Sequence, residues 1–243
     1  MKNISKKLQI LVLLPVIAMQ FNCGSSKNAV TDSGKAASWI TTTDETSKLK
    51  KQAELVFTSE TNSNQTIEVN PSEKFQTIEG FGFSLTGGSA QAILKLDKPK
   101  REALLKELFS RKEDAIGLSY IRVSIGASDL NEKVFSYDDL PEGQTDLKLE
   151  KFNLGPDLED VIPVLKEILA INPKIKIMGS PWSPPVWMKD NGSSKGGSLQ
   201  QIYYQVYAEY FVKYIQAMKS HGITIDAITP QNEPLHPGNN PSL

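Results

Sequence analysis

From Phe75 onward the chain repeats one unit: a β-branched apolar run, a loop rich in Pro, Gly and Asn, then a stretch of helical period. The runs "IEGFGFSLT", "LSYIRVSIG", "IKIMGSPW" and "ITIDAITPQNE" predict four strands. After the first, "DKPKREALLKELFS" predicts a helix with Asp97 as N-cap, Pro99 in the first turn, and Leu104, Leu105, Leu108 and Phe109 on one face. "DLEDVIPVLKEILAINP" predicts a second helix, with Ile162, Leu165, Ile168 and Leu169 at helical spacing and a stop at Asn172 and Pro173. In "SLQQIYYQVYAEYFVKYIQAMKSHG" the recurrence of Ile202, Val206, Tyr210, Tyr214 and Met218 predicts a third, closed by Gly222. Strands separated by helices of this length pair in parallel through right-handed crossovers. The loops after the strands are long and the returns before them short, the asymmetry of a (β/α)8 barrel whose function sits at one mouth. A whole barrel takes about 250 residues, so four units predict an α/β fold that is the first half of a (β/α)8 TIM barrel. We expect the 243 residues to be a truncated piece of a longer protein.

What precedes the repeat divides into three. Lys2, Lys6 and Lys7 stand before an apolar run from Leu8 to Met19, too short to span a bilayer, which is the shape of an export signal over residues 1–22. The single cysteine, Cys23, follows the run and is succeeded by Gly24, Ser25 and Ser26, so it is the expected lipidation point of a bacterial cell-envelope lipoprotein, exported and held at the membrane through that anchor. The residue before it, Asn22, is larger than such sites usually carry, and a plainly cleaved signal with an incidental thiol is the alternative. Residues 23–50, rich in Ser, Thr, Lys, Asp and Ala, predict a flexible tether. Residues 51–74, with "AELVFTSE" and "QTIEVNP", predict strands of a small β-sandwich side domain, and 75–243 the partial barrel.

Charge and composition narrow the chemistry. With 27 Lys+Arg against 28 Asp+Glu, the chain has no basic field for nucleic acid, so no nucleic-acid partner is expected, and near neutrality suits an uncharged ligand such as a sugar. Two histidines, one at a helix end and one in a loop, with one cysteine near the N-terminus, give no basis for a metal cluster or a Cys/His nucleophile. Neither a phosphate loop nor a dinucleotide fingerprint is present, so neither metal nor cofactor is expected.

In a barrel of this kind the residues facing substrate lie at the carboxyl ends of the strands. In order, those ends are "GFGFSLTGG", "IRVSIGASDL", "SPWSPPVW" and "TPQNEP". Arg122 alternates with Ile121 and Val123, so it points into the barrel while they face the helices, and a buried arginine calls for carboxylate partners. Gly80, Phe81 and Gly82 mark either a close approach of substrate or loop, or a simple bulge. Trp187 is expected to be packing.

The four motifs together resemble glycoside hydrolase family 30, the glucosylceramidases and bacterial β-1,6-glucanases, from about Phe75 onward. The resemblance implies a retaining β-glycosidase acting on a β-linked glucoside or glucan, with Glu233 as general acid/base. Breaking a glycosidic bond requires a carboxyl group that protonates the bridging oxygen as an oxocarbenium-like centre forms. The resemblance further implies that Asn232 bonds the sugar 2-hydroxyl, that Trp182 and Asp129 bind sugar, and that Arg122 orients the catalytic acids. Turn-forming for Asn232, an N-cap in "SDLNE" for Asp129 and a structural ion pair for Arg122 are the alternatives. The family carries its nucleophile on the seventh barrel strand, and no residue of 1–243 takes that role. A sugar-binding surface lipoprotein without catalysis, or an inactive fragment, is the competing reading.

Overall fold

The computed structural model describes residues 34–57, 63–112 and 114–243; the export signal and Cys23 lie outside the described residues. The chain divides into two compact units, residues 1–73 and 74–243.

In the first unit β1 (Lys35–Ala36) pairs antiparallel with β4 (Leu55–Val56), and β2 (Trp39–Ile40) with β3 (Lys50–Lys51). The tether expected over 23–50 therefore gives way, from residue 34 on, to short paired strands. The composition there is polar, but Thr41 and Thr42 turn the chain with side-chain bonds, as Leu49 N–H and Ser47 N–H donate to their hydroxyls. The strand expected in "QTIEVNP" is not formed: Ile67 and Val69 are 88% and 80% exposed. Strand propensity without a partner and a covered face does not hold a strand.

In the second unit β5 (Gly82–Leu85), β6 (Tyr120–Ile125), β7 (Lys176–Pro181) and β8 (Ala227–Ile228) form one parallel sheet in that order. Chain order equals spatial order, and helices fill the intervals, which makes the sheet an arc of a (β/α)8 barrel. Although β8 is only two residues by its ladder, Asp226, Thr229 and Asn232 continue it with backbone N–H bonds to Ile177, Gly179 and Pro181. Its carboxyl end is thus laced to β7 as far as Asn232.

Helix starts follow local chemistry. Asp97 caps α2 (Lys98–Phe109) by accepting from Lys100 N–H, with Pro99 inside the first turn. In α3 (Val161–Ile171) the face Val161, Ile162, Val164, Leu165 and Ile168 is buried, and Asn172 ends it. α4 (Tyr204–Ser220) buries Tyr207, Tyr210, Tyr214 and Met218, and Gly222 follows at φ +82°, the left-handed turn that closes helices. Ile202 falls outside this face, 74% exposed, because it sits in a 3-10 turn (Gln201–Tyr203) whose tighter winding breaks the helical phase. An unanticipated helix, α1 (Gly87–Leu94), begins straight after β5, capped by Thr86 accepting from Ser89 N–H. Gly87 and Gly88 there meet the turn 128–131 so closely that a Cβ would lie 2.0 Å from the Asn131 side chain or 2.1 Å from Leu130 O.

The glycines of "GFGF" have a structural role. A Cβ on Gly82 would fall 1.4 Å from Tyr120 O, so it is the next strand's backbone that approaches, while Phe81 O accepts from both Ser119 and Tyr120 N–H, the bonding of a bulge.

The long loop after β6 is anchored onto α4 by buried polar bonds. Tyr137 N–H donates to Tyr210 Oη at 3.0 Å, the Tyr137 hydroxyl donates to Asp157, Asn153 N–H donates to Tyr137 O at 2.7 Å, and Lys213 donates to Leu149 O at 2.7 Å. Tyr137 stacks on Tyr214 at 5.7 Å and on Tyr210 at 6.0 Å. Burial drives the Asp157 carboxyl up to about 7, against the lowering effect of the Tyr137 hydroxyl. A carboxyl whose folded pKa exceeds its unfolded one near 4 binds its proton more tightly when folded, so stability falls as pH rises from about 4 to 7 and is flat above. Asp157→Asn keeps an acceptor for Tyr137 and should remove this decline, raising the urea midpoint at pH 8 relative to wild type. A midpoint lower than wild type at pH 8, or an unchanged pH slope, would show that the ionised carboxylate is the favoured form.

Candidate active site

The site is built where β6, β7 and β8 end. Ile121 and Val123 are buried against the helices, and Arg122, between them, points to the other face of the sheet. Ser180 of β7 is fully buried. One guanidinium nitrogen, Arg122 Nη2, donates to Ser180 Oγ at 3.0 Å and to Asn232 Oδ1. Ser180 Oγ shares a 2.6 Å bond with Thr229 Oγ1, so the three strands are tied together beneath the mouth. The guanidinium carbon lies 4.7 Å from the centre of the Trp182 ring, a cation–π contact.

With its oxygen engaged by Arg122, Asn232 turns its amide nitrogen to Glu233, and Asn232 Nδ2 lies 3.4 Å from Glu233 Oε2. A second amide, Asn239 Nδ2, donates to the same oxygen at 2.9 Å. Arg122 therefore reaches Glu233 through Asn232 rather than by an ion pair. Burial lowers the Arg122 pKa from its ordinary value, while the negative charges of Glu233 and Asp129 act in the opposite sense. The carboxylate contact expected of Arg122 is thus replaced by two neutral acceptors, with the carboxylates acting through space. Arginine remains a cation in either case.

The Glu233 backbone stands at φ +43°, a left-handed conformation uncommon away from glycine. It is held there by Asn232 N–H on Pro181 O at 2.7 Å and by His236 N–H on Glu233 O at 3.1 Å. Gln231 Nε2 donates to Trp182 O at 2.8 Å and to Asn232 O at 2.9 Å, fixing the turn against the Trp182 loop. The exposed Glu233 carboxylate projects from this rigid base. Trp182 is buried, and among the described residues its buried indole N–H has no hydrogen-bond partner.

Four of the five sequence-expected residues of the mouth, Arg122, Trp182, Asn232 and Glu233, come together. Asp129 is exposed on the loop after β6 and reaches Arg122 only by charge. No helix begins there, and Asn131, not Asp129, caps the turn by accepting from Ser128 N–H. Trp187 packs edge-on against Tyr203 and donates to Asp138 O at 2.9 Å, a framework tryptophan. Ser180, Thr229, Gln231 and Asn239 join the site without having been singled out. Alternation from Arg122 across the register Ser124↔Ser180 could have found Ser180; nothing in the loop composition marks Asn239.

The segment after Glu233 is fastened to the loop after β7. Lys189, buried, donates to Ser183 Oγ at 3.0 Å and Ser242 O at 2.7 Å; Ser242 N–H donates to Ser194 O and Gly196 N–H to Ser242 Oγ, both at 2.9 Å. Burial pushes the Lys189 ammonium down to about 8.

A parallel strand-helix arc with a carboxylate, an amide, a tryptophan and an arginine gathered at its carboxyl mouth is the layout of a barrel-type carbohydrate-active protein. Comparison with known proteins makes it specific: the Glycosyl hydrolase family 30 TIM-barrel domain matches residues 78–240, and the chain belongs to that family. It is 42% identical over 176 residues to an endo-1,6-beta-D-glucanase of Neurospora crassa, covering 70% of this chain and 36% of the relative. It is 35% identical over 175 residues to the lysosomal acid glucosylceramidase of Mus musculus, covering 69% and 33%. Among solved structures, an endo-beta1,6-glucanase superposes with a TM-score of 0.74 at 42% identity, over 87% of this chain and 45% of that one. The chain thus spans less than half the length of each of these relatives.

The guanidinium–indole contact should be measurable in the chain itself. A double-mutant cycle of Arg122→Met and Trp182→Leu, each of which removes one partner of the cation–π pair, should give a coupling of about 0.5–2 kcal/mol in urea unfolding. Additive effects within error would mean that the stack contributes nothing.

Proposed function

We propose that the complete protein hydrolyses β-glucosidic bonds with retention of configuration, with Glu233 as general acid/base. The observation that carries this is the Glu233 carboxylate at the end of β8, gripped by Asn232 and Asn239 beside the Trp182 ring. One carboxylate oxygen is used by the two amides, and the other is left to face a glycosidic oxygen. In this reading Asn232, its amide oriented by Arg122, bonds the sugar 2-hydroxyl, a bond that strengthens as positive charge develops at the anomeric carbon. Trp182 and Asp129 are the further sugar contacts in this reading. The second carboxylate, needed about 5–5.5 Å from the first for retention, belongs in this account to the seventh barrel strand, past Leu243.

For substrate we favour a β-1,6-linked glucan over a glucosylceramide-like glycolipid. Similarity to the Neurospora crassa and solved endo-1,6-glucanases is higher than to the Mus musculus glucosylceramidase. We also propose an exported bacterial lipoprotein anchored through Cys23. Cys23→Ser should abolish incorporation of radioactive fatty acid and release the protein from membranes, whereas undiminished labelling rules out that anchor.

Glu233→Gln in the complete protein should slow cleavage of natural β-glucosides by about 10²- to 10⁴-fold. A dinitrophenyl β-glucoside, whose leaving group needs no proton, should still form the glycosyl-enzyme quickly and then stall, because the same residue activates water. Azide, which needs no base, should restore turnover with a β-glucosyl azide as product. An α-azide would make Glu233 the nucleophile, and wild-type rates would remove it from the mechanism.

A further inference from the structure

A carboxylate that must aim at one bridging oxygen needs the chain around it held, and the chain after Glu233 is held at both ends. At the near end Asn232 N–H donates to Pro181 O at 2.7 Å. Residues 233–238 are then all exposed, with His236 N–H on Glu233 O as a bond inside the stretch. The chain returns under cover at Pro241 and Ser242, both buried. Just before them stands Asn239, whose amide donates to Glu233 Oε2 at 2.9 Å.

The far end hangs on a buried cation. Lys189 is 2% exposed, and its ammonium donates to Ser183 Oγ at 3.0 Å and to Ser242 O at 2.7 Å. Both acceptors are neutral, and Asp190 acts on the ammonium by charge. The backbone of Lys189 is itself fixed: its N–H donates to Val186 O at 3.1 Å, and its carbonyl accepts from Gln200 Nε2 at 2.9 Å. Beside this contact, Ser194 Oγ donates to Asn240 Oδ1 at 2.7 Å and ties the same segment. An apolar side chain of similar size in place of a buried charge often leaves a fold as stable or more so. Stability is therefore a poor reason for a lysine here. What the ammonium adds is a donor at a fixed point, which pins the Ser242 carbonyl.

We infer that Lys189 is a positioning residue for the acid/base: by pinning Ser242 it sets the segment Asn239–Ser242 and so holds the Asn239 amide on Glu233. Neither Glu233 nor Asn239 is among its own partners. The inference rests on the proposed role of Glu233 and gives that residue a second support. Arg122 acts on it through Asn232 from the sheet, and Lys189 acts on it through Asn239 from the loop. With Asn239 released, Glu233 keeps only the longer Asn232 contact at 3.4 Å and is free to turn.

The test separates aiming an acid from shaping a site. Phenyl and dinitrophenyl β-glucosides present the same sugar, but the phenyl leaving group needs the proton far more. In the complete protein Lys189→Met should slow phenyl β-glucoside cleavage by about 10- to 100-fold, the size of loss that a misplacement of about 1 Å causes. The dinitrophenyl compound should still form the glycosyl-enzyme at the wild-type rate. Asn239→Ala should show the same selectivity, and adding Lys189→Met to it should cost nothing further, because both remove one contact. Ser194→Ala, which loosens the same segment, should give a smaller loss of the same kind, and it decides the matter where Lys189→Met does not fold. Equal slowing of both substrates by these variants would make the anchor a matter of general structure, and additive losses in the double variant would show that Lys189 does not act through Asn239. Either result, or wild-type rates on the phenyl compound, overturns the inference while leaving Glu233 in its role. Were Glu233→Gln itself to cleave phenyl β-glucoside at the wild-type rate, the acid/base reading would fall and this inference with it.

Discussion

The candidate site hangs on one guanidinium. Arg122 lies in the second strand of the sheet, yet it touches the third through Ser180 and the chain beyond the fourth through Asn232, while its flat face covers Trp182. Because the guanidinium is flat and weakly hydrated, it can lie on the indole while its Nη2 serves two acceptors. Burying such a cation is costly unless its donors are used; Arg122 is half-buried, and its Nη2 donates to two neutral oxygens. The choice of acceptors matters to chemistry. An arginine paired directly with Glu233 would hold that carboxylate in an ion pair, whereas contact through Asn232 orients the residue and leaves one oxygen free.

The rest of the arc serves that arrangement. Parallel register sets Arg122 and Ser180 on one face, backbone bonds extend β8 to Asn232, and Gln231 fixes the turn to the Trp182 loop. Above, the β6 loop is held by the tyrosine cluster around Asp157, and the chain after Glu233 is fastened through Lys189 and Ser242. Site precision comes from side chains whose supports are themselves buried and bonded, which is how a mobile-looking loop region becomes a fixed platform.

Much of this was legible in the sequence, and the part that was not has a common cause. Asp97, Asn172 and Gly222 were legible because caps act over three or four residues. The apolar face of α3 was legible because helical period alone selects it. By contrast, the Arg122–Asn232 bond joins residues 110 positions apart, and only strand register reveals it. α1 was hidden because "GGSA" looks like loop by propensity, although Thr86 and Ser89 supply a cap. Ile67 and Val69 alternate like a strand and have no partner, and residues 34–50, polar enough to read as a tether, pair anyway. In both cases pairing, which is non-local, decided against composition.

The central claim is that Glu233 faces a glycosidic oxygen because Asn232, set by Arg122, turns it there. The most direct measurement is a crystal structure of the complete protein with a thio-linked β-glucoside that resists cleavage. The account predicts the sugar ring against Trp182, its 2-hydroxyl on Asn232, and the bridging atom about 3–3.5 Å from the free oxygen of Glu233, close to hydrogen-bond reach. A sugar bound elsewhere, or a Glu233 turned away from the bridging atom with Asn232 released from Arg122, would contradict it.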